Sequence, residues 1–186
     1  MNGLVNLIGA SVTRPKEAAE ELLALGLGRD IAWMMLALSI VVTVLLSFLA
    51  TGGQPLELIP GQPFTPFMHA IFLGCLSVIM GYAIYFTGNA MDGAGTLTGS
   101  ILVVAWLQVL QLAGLFVQSV VFLISPGIAV LISLAITIAL IWVLLSFVDV
   151  LHGFGSLGRS ALLMLFVIVG IGLGLTLILG LIGVGL

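Results

Sequence analysis

Charged residues are scarce in this sequence: only 6% of its 186 residues are Asp, Glu, Lys or Arg. A soluble domain of ordinary composition carries about 25%. Hydrophobic residues make up 62% of the chain, so most of its surface must face lipid rather than water. The composition therefore predicts an integral membrane protein.

Basic residues and cysteine are also few, and each shortage excludes a class of function. Four Lys and Arg residues and a net charge of −3 do not supply the clustered basic surface that nucleic-acid binding needs, so we expect no nucleic-acid partner. The single cysteine, Cys75, excludes an intrachain disulfide and a thiolate metal cluster. It lies in an apolar run and is interpreted as a small buried hydrophobic residue.

Residues that carry enzyme chemistry are sparse and scattered. The candidates for an intramembrane enzyme are His69, Cys75, Asp92, Asp149 and His152. They form no paired-carboxylate, HExxH or GxSxG arrangement. We therefore expect no catalytic residues, no cofactor site and no metal site.

Long uncharged runs define the fold class. A helix rises about 1.5 Å per residue, so a run of about 20 residues crosses the roughly 30 Å hydrocarbon layer. The central stretch 128–182 contains two such runs separated by a short polar break. The sequence predicts an all-α polytopic membrane protein with a five-span domain at 31–186, the spans being about 31–50, 67–87, 97–124, 128–148 and 161–182.

The segment 1–30 precedes the first span and is too polar to cross the membrane. Thr13 is predicted to cap a short helix that has Pro15 in its first turn. Carboxylates line one face of this helix and apolar residues line the other: Glu17, Glu20, Glu21 against Ala18, Leu22, Leu25. We interpret 1–30 as an amphipathic arm on the membrane surface, with the carboxylates in water.

The loop 51–66 and the third span carry the next signals. Four prolines exclude a regular helix from the loop, whose apolar residues favour a position against the bilayer. In the third span, one side of the helix carries a polar stripe formed by Ser100, Gln108, Gln111 and Gln118. These side chains need partners inside the bundle, either as hydrogen bonds between helices or as a path for a substrate.

Glycines recur on helix faces where close packing is expected. Gly74, Gly81 and Gly88 follow a seven-residue repeat, and Gly170 and Gly174 lie in the last span. Small residues allow helix backbones to approach closely in lipid. The glycines between the second and third spans follow no strand and precede no lysine, so they predict a turn rather than a phosphate loop.

The polar break after the fourth span contains Asp149, His152 and Arg159. One interpretation makes Asp149 a proton or cation handle at the cytoplasmic edge, next to His152 and Trp142 on one helix face. The other makes Asp149 a helix-end charge that pairs with Arg159 or caps the next helix. We favour the architectural interpretation.

The basic residues predict the orientation. With five spans, Arg14, Lys16, Arg29 and Arg159 all fall on one side of the membrane. The positive-inside rule then places the N-terminus in the cytoplasm and the C-terminus outside.

The end of the chain resembles the YIP (Ypt/Rab-interacting protein) domain family. The resemblance rests on Trp142, the break from Asp149 to Gly153, and the pair Arg159–Ser160 opening the last span. The arm sequence from Thr13 to Ala18 is similar to the family's proline-containing arm. The short length and compact loops are typical of bacterial members, so we expect a bacterial inner-membrane protein with a periplasmic C-terminus.

This resemblance implies a membrane protein without known catalysis. Eukaryotic relatives are linked to Rab-type GTPases through a longer N-terminal region, which this chain does not have, so we do not expect GTPase binding. The first hypothesis is a scaffold or adaptor that binds, besides the bilayer, another membrane protein or a second copy. The alternative is a small transporter, channel or lipid-moving protein that uses the polar stripe.

Overall fold

The computed structural model describes residues 2–59 and 62–181. Within these residues the chain forms seven α-helices and one β-hairpin, in the order α1 (Asn2–Thr13), α2 (Pro15–Ala24), α3 (Arg29–Ala50), β1 (Leu56–Ile59), β2 (Gln62–Phe64), α4 (Pro66–Ala90), α5 (Leu97–Ile124), α6 (Pro126–His152) and α7 (Leu157–Leu181).

The helices α3 to α7 are long and apolar enough to cross a membrane. This confirms the predicted all-α class with five spans. Two helices extend further into the polar break than hydropathy predicts: α6 continues to His152 and α7 already begins at Leu157. Both can do so because Asp149, the charged residue at the end of α6, has partners inside the protein, as described below.

The central helix of the bundle is α5, which packs against α3, α4 and α6, while α7 packs against α4 and α6. The first half of α5 is enclosed, with Ile101, Val103 and Trp106 almost fully buried. The second half faces outwards, and Phe116 and Leu123 are 70% and 85% exposed. The bundle is therefore tightly packed at one end and more open at the other.

The N-terminal arm is amphipathic, and its apolar face packs on the protein itself. Ala18, Ala19 and Leu22 are buried at the contact of α2 with α6, whereas Leu25 is exposed. Pro15 opens α2 as predicted, but the predicted Thr13 cap is wrong. Thr13 still belongs to α1, so its hydroxyl reaches back and donates to the Gly9 carbonyl at 3.0 Å.

A second tie joins the arm to the bundle core. The indole Nε1 of Trp106 on α5 donates to Ser11 Oγ at 3.0 Å, and Ser11 Oγ donates to the Leu7 carbonyl at 2.7 Å. All these groups are buried, where an unpaired indole or hydroxyl would be costly. The arm is thereby fixed to the bundle by polar contacts as well as by packing.

The proline-rich loop between α3 and α4 is a short antiparallel hairpin. Leu56 pairs with Phe64, and Glu57 pairs with Pro63. Proline excludes a helix but is tolerated at a strand edge, where its missing N–H is not needed. Thr65 then caps α4 by accepting from the Met68 N–H at 3.3 Å.

Charge is segregated along the bundle. All charged residues except Glu57 lie on α2 or directly before it, at the start of α3, in the α4–α5 connection, in the last turn of α6 and in the first turn of α7. These elements meet at one end of the bundle, which we call the charged end. The opposite end, which carries the β-hairpin and the α5–α6 turn, we call the hairpin end.

Candidate functional site

A buried carboxylate lies at the centre of the charged end. Asp149, on the last turn of α6, is 3% exposed. Its Oδ2 is 2.6 Å from Lys16 Nζ of α2, and its Oδ1 accepts from the Ser156 backbone N–H at 2.8 Å. A buried carboxylate requires this kind of compensation. Asp149 thus joins the arm, the end of α6 and the start of α7.

These contacts bear on the architectural interpretation of the polar break. Asp149 caps the start of α7 through Ser156, as the architectural interpretation expected, but its ion-pair partner is Lys16 and not Arg159. Arg159 instead places its guanidinium 5.3 Å from the centre of the Phe154 ring, within the range of a cation–π contact. Arg159 lies in the first turn of α7 and is exposed, whereas Asp149 is buried in the protein.

The imidazole of His152 is enclosed by glycines. A Cβ atom on Gly88, Gly93 or Gly95 would overlap the ring, and on Gly93 it would lie 2.6 Å from Nδ1. Phe154 stacks on the ring at 5.3 Å between centroids. His152 is therefore seated in a pocket that only residues without a side chain can form, which we call the glycine cradle.

The α4–α5 connection supplies two walls of the cradle and is held in place by its own hydrogen bonds. The Ala94 N–H donates to the His152 carbonyl at 3.0 Å. The Asn89 amide, oriented with its nitrogen inwards, donates to the Gly93 and Gly95 carbonyls at 3.0 and 3.2 Å. The glycines of this turn therefore accommodate a side chain rather than a phosphate.

His152 is unusual for a buried residue because neither ring nitrogen has a hydrogen-bond partner among the described residues.

Trp142, expected next to Asp149 and His152, is half exposed on the outside of α6. The charged-end cluster consists of Lys16, Asp149, His152, Phe154, Ser156 and Arg159. It links α2, the end of α6 and the start of α7 through one ion pair, one cap and one stack of rings.

The polar stripe of α5 divides into two parts. Gln108, Gln111 and Gln118 line one cavity in the half of the bundle towards the hairpin end. Ser100 is fully buried near the charged end, and its hydroxyl donates to the Thr96 carbonyl of the preceding turn at 3.1 Å. Helical spacing places the four residues on one side, but Ser100 does not belong to the cavity.

The glycine faces differ in what they contact. Gly81 approaches α5 so closely that a Cβ would lie 2.5 Å from Ile101 Cδ1, and Gly74 faces Ile40 of α3 at 3.8 Å. Gly88 belongs to the cradle. Gly170 and Gly174 differ from the expected packing role, because among the described residues nothing lies within 4 Å of a Cβ built on either.

Cys75 also differs from its expected place. The interpretation as a buried hydrophobic residue was wrong, since its side chain is exposed on the outer surface of α4. The neighbouring small residue Ser77 takes the inward position instead, and it is buried. Cysteine is apolar enough to face lipid, so its position needs no polar partner.

Sequence reasoning missed the residues that complete these sites from a distance. Lys16 was assigned only to topology, although it is the ion-pair partner of Asp149 across 133 residues. Ser11, whose hydroxyl accepts the hydrogen bond of the Trp106 indole, is recognisable in the sequence only as a polar residue in an apolar helix. The cradle glycines were recognised as a turn, but the side chain they enclose was not.

These features define the class of the protein: it is an α-helical integral membrane protein whose short polar segments gather at one end of a five-helix bundle. The family model of the Yip1 domain matches residues 9–179. The chain therefore belongs to the Yip1 family, which confirms the resemblance carried by its arm and its last two spans. Comparisons with curated proteins and with solved structures give no match.

The Lys16–Asp149 pair predicts a specific energetic coupling. Lys16→Met leaves a buried carboxylate without its cation and should cost about 1–3 kcal/mol of unfolding free energy. Asp149→Asn removes the charge but keeps an oxygen for the Ser156 N–H. A double-mutant cycle followed by thermal unfolding in detergent should give a coupling of about 0.5–3 kcal/mol.

The matched control for this cycle is Arg159→Met in place of Lys16→Met. Arg159 contacts Phe154 and not Asp149, so its coupling to Asp149→Asn should be close to zero. A larger coupling for Arg159 than for Lys16 would contradict the ion pair described here.

The glycine cradle predicts a compensating pair of substitutions. Gly95→Ala places a methyl group into the imidazole and should lower the melting temperature, since overpacking costs about 1–3 kcal/mol. In a His152→Ala background the same Gly95→Ala change should cost much less, because the ring is gone. Gly158→Ala is the control, as its Cβ would meet only Ser156 Oγ at 3.6 Å. Equal losses from Gly95→Ala in both backgrounds would refute the cradle.

Proposed function

We propose that this Yip1-family membrane protein is a non-enzymatic scaffold that binds another membrane protein through the outer face of α2. The observation that carries the proposal is that α2 has one face buried in the protein and an opposite, acidic face exposed. Ala18, Ala19 and Leu22 are buried in the protein, whereas Glu17, Glu20 and Glu21 face outwards. An acidic surface is thus held at a fixed position next to the membrane.

The rigidity of this surface supports a docking role. Lys16 ties α2 to Asp149, and the Trp106–Ser11 hydrogen bond ties α1 to the bundle core. A preorganised surface loses less conformational entropy when a partner binds than a flexible tail does. The arm therefore differs from a mobile N-terminal extension.

Charge favours a partner with basic residues near the same membrane surface. Arg14 pairs with Glu17 at 2.9 Å, so that carboxylate is partly compensated within the arm. Among the described residues, Glu20 and Glu21 form no ion pair. Complementary charges at an interface guide association and orientation, and two unpaired carboxylates one residue apart suit Lys or Arg side chains.

Photo-crosslinking in native membranes tests the scaffold proposal. A photoreactive residue at position 20 should capture one protein in stoichiometric amount. The double change Glu20→Lys and Glu21→Lys, with the photoreactive residue moved to position 17, should reduce the yield at least about tenfold, as expected for reversed charges at an interface. The yield should also fall at high salt, which screens exposed charges.

The control is Glu57→Lys, the same charge reversal at the hairpin end, which should leave the yield unchanged. Two results would contradict the proposal. In the first, a protein is captured but the crosslinking yield is the same with and without the charge reversal at positions 20 and 21. In the second, the photoreactive residue crosslinks to lipid alone.

We further propose that the charged end faces the cytoplasm of a bacterium, with the C-terminus of α7 towards the periplasm. The support is that all four basic residues lie at the charged end, on the side that the positive-inside rule assigns to the cytoplasm. Ser11 is buried and unsuitable as a labelling site, so exposed Thr13 serves instead.

The orientation is tested with single cysteines in a Cys75→Ser background. In intact cells, an impermeant thiol reagent should label Ser125→Cys but neither Thr13→Cys nor Ser156→Cys. After permeabilisation all three should react. Labelling at position 13 or 156 from outside would reverse the orientation.

A further inference from the structure

The α5 glutamines line a polar cavity between the helices of the described chain. It has a volume of about 340 Å³ and lies between α3, α4, α5 and α6. Its polar lining comprises Thr43, Ser47, His69, Gln108, Gln111, Gln118, Ser133 and Thr137. None of the described residues that line it is Asp, Glu, Lys or Arg. We call this space the polar cavity.

Three of its polar side chains donate hydrogen bonds to the protein. Gln108 is 8% exposed, and its Nε2 donates to Ser77 Oγ at 2.5 Å, while its Oε1 has no partner among the described residues. The Thr43 and Thr137 hydroxyls donate to carbonyls of their own helices at 2.8 and 2.9 Å. Their oxygen lone pairs remain free to accept hydrogen bonds.

An unpaired amide oxygen in the interior of a membrane protein costs about 1–3 kcal/mol. A molecule that offers O–H groups to the cavity would remove this cost. A lipid acyl chain would not, because it has no donor. A cation would find acceptors but no carboxylate to neutralise its charge, which is unfavourable at membrane depth.

The size of the cavity sets an upper limit on the occupant. Liquid water takes about 30 Å³ per molecule, and small-molecule pockets begin near 300 Å³. The polar cavity is therefore large enough for a cluster of waters or for one small organic molecule. Glutamine side chains can donate as well as accept, so a molecule with several hydroxyls fits this lining.

We propose that the polar cavity is a binding site for a small uncharged polyol of glycerol type. The same chemistry is available from free glycerol and from the glycerol headgroup of phosphatidylglycerol. This site goes beyond the scaffold role and is independent of it, because it lies in the other half of the bundle from the charged-end cluster.

Substituted-cysteine protection tests the site in the full-length chain, reconstituted into phosphatidylcholine nanodiscs in a Cys75→Ser background. Thr137→Cys reports on the cavity, Ser125→Cys on the water-facing turn, and Ser119→Cys on the lipid-facing side of α5. A small charged thiol reagent should modify positions 137 and 125 but not 119. If Thr137→Cys does not give a folded protein, Ser133→Cys takes its place.

Glycerol should slow modification at position 137 by a factor of one plus its concentration divided by its dissociation constant, or about threefold at twice that constant. Position 125 should be unaffected, which separates binding from a general effect of the solvent. Gln111→Leu in the Thr137→Cys background should remove the protection by glycerol, measured relative to the rate of the same variant without glycerol.

Two results would overturn the proposal. If position 137 is as unreactive as position 119, the cavity is closed to polar molecules. If position 137 reacts but neither glycerol nor phosphatidylglycerol protects it, the cavity holds water only. Protection by phosphatidylglycerol nanodiscs without added glycerol identifies the lipid headgroup as the occupant, and protection by free glycerol in phosphatidylcholine identifies the soluble polyol.

Discussion

The charged end of this protein depends on the compensation of one buried carboxylate. Asp149 is taken out of water by α2 and by the α6–α7 connection, and both elements supply the groups that satisfy it. If either were displaced, the carboxylate would lose an ion-pair partner or a backbone N–H, at a cost that is large for a buried charge. The arm, the end of α6 and the start of α7 are therefore positioned together, and the stack from His152 to Arg159 follows from that arrangement.

The two halves of the bundle show opposite packing. Near the charged end, the glycines around His152 lie so close to its ring that a Cβ atom would overlap it, and the Trp106 indole and the Asp149 carboxylate are paired, whereas the ring nitrogens of His152 have no partner among the described residues. Near the hairpin end, the polar side chains of four helices surround an open space and Gln108 keeps an unpaired oxygen. Close packing is a main force that holds helices together in lipid, and the charged half contributes much of it.

Hydropathy was sufficient to predict the five spans, because only a helix satisfies its backbone in lipid and its length is set by the bilayer. The pairing of Lys16 with Asp149 was not predictable, because nothing in the local sequence relates two residues 133 positions apart. The prolines of the loop excluded a helix but did not specify a hairpin, since proline is compatible with several extended conformations. Helical spacing placed Ser100 on the same side of α5 as the three glutamines. It did not show which other helices surround each residue, and for this reason it did not separate Ser100 from the cavity.

The segregation of charge also bears on how the chain enters a membrane. In the proposed orientation, the only charged residue that has to pass through the hydrocarbon layer is Glu57 in the hairpin. An Asp, Lys or Arg at the centre of an inserting helix costs about 2.5–3.5 kcal/mol, and the other acidic and all the basic side chains avoid any such passage. The sequence 56–64 contains only Glu57 and Gln62 as polar residues, so α3 and α4 are suited to insert as a pair, and the α5–α6 turn is suited to follow in the same way. The ion pair of Lys16 with Asp149 forms only when α6 is in place, late in synthesis, so the arm can dock fully only after most of the membrane domain has been inserted.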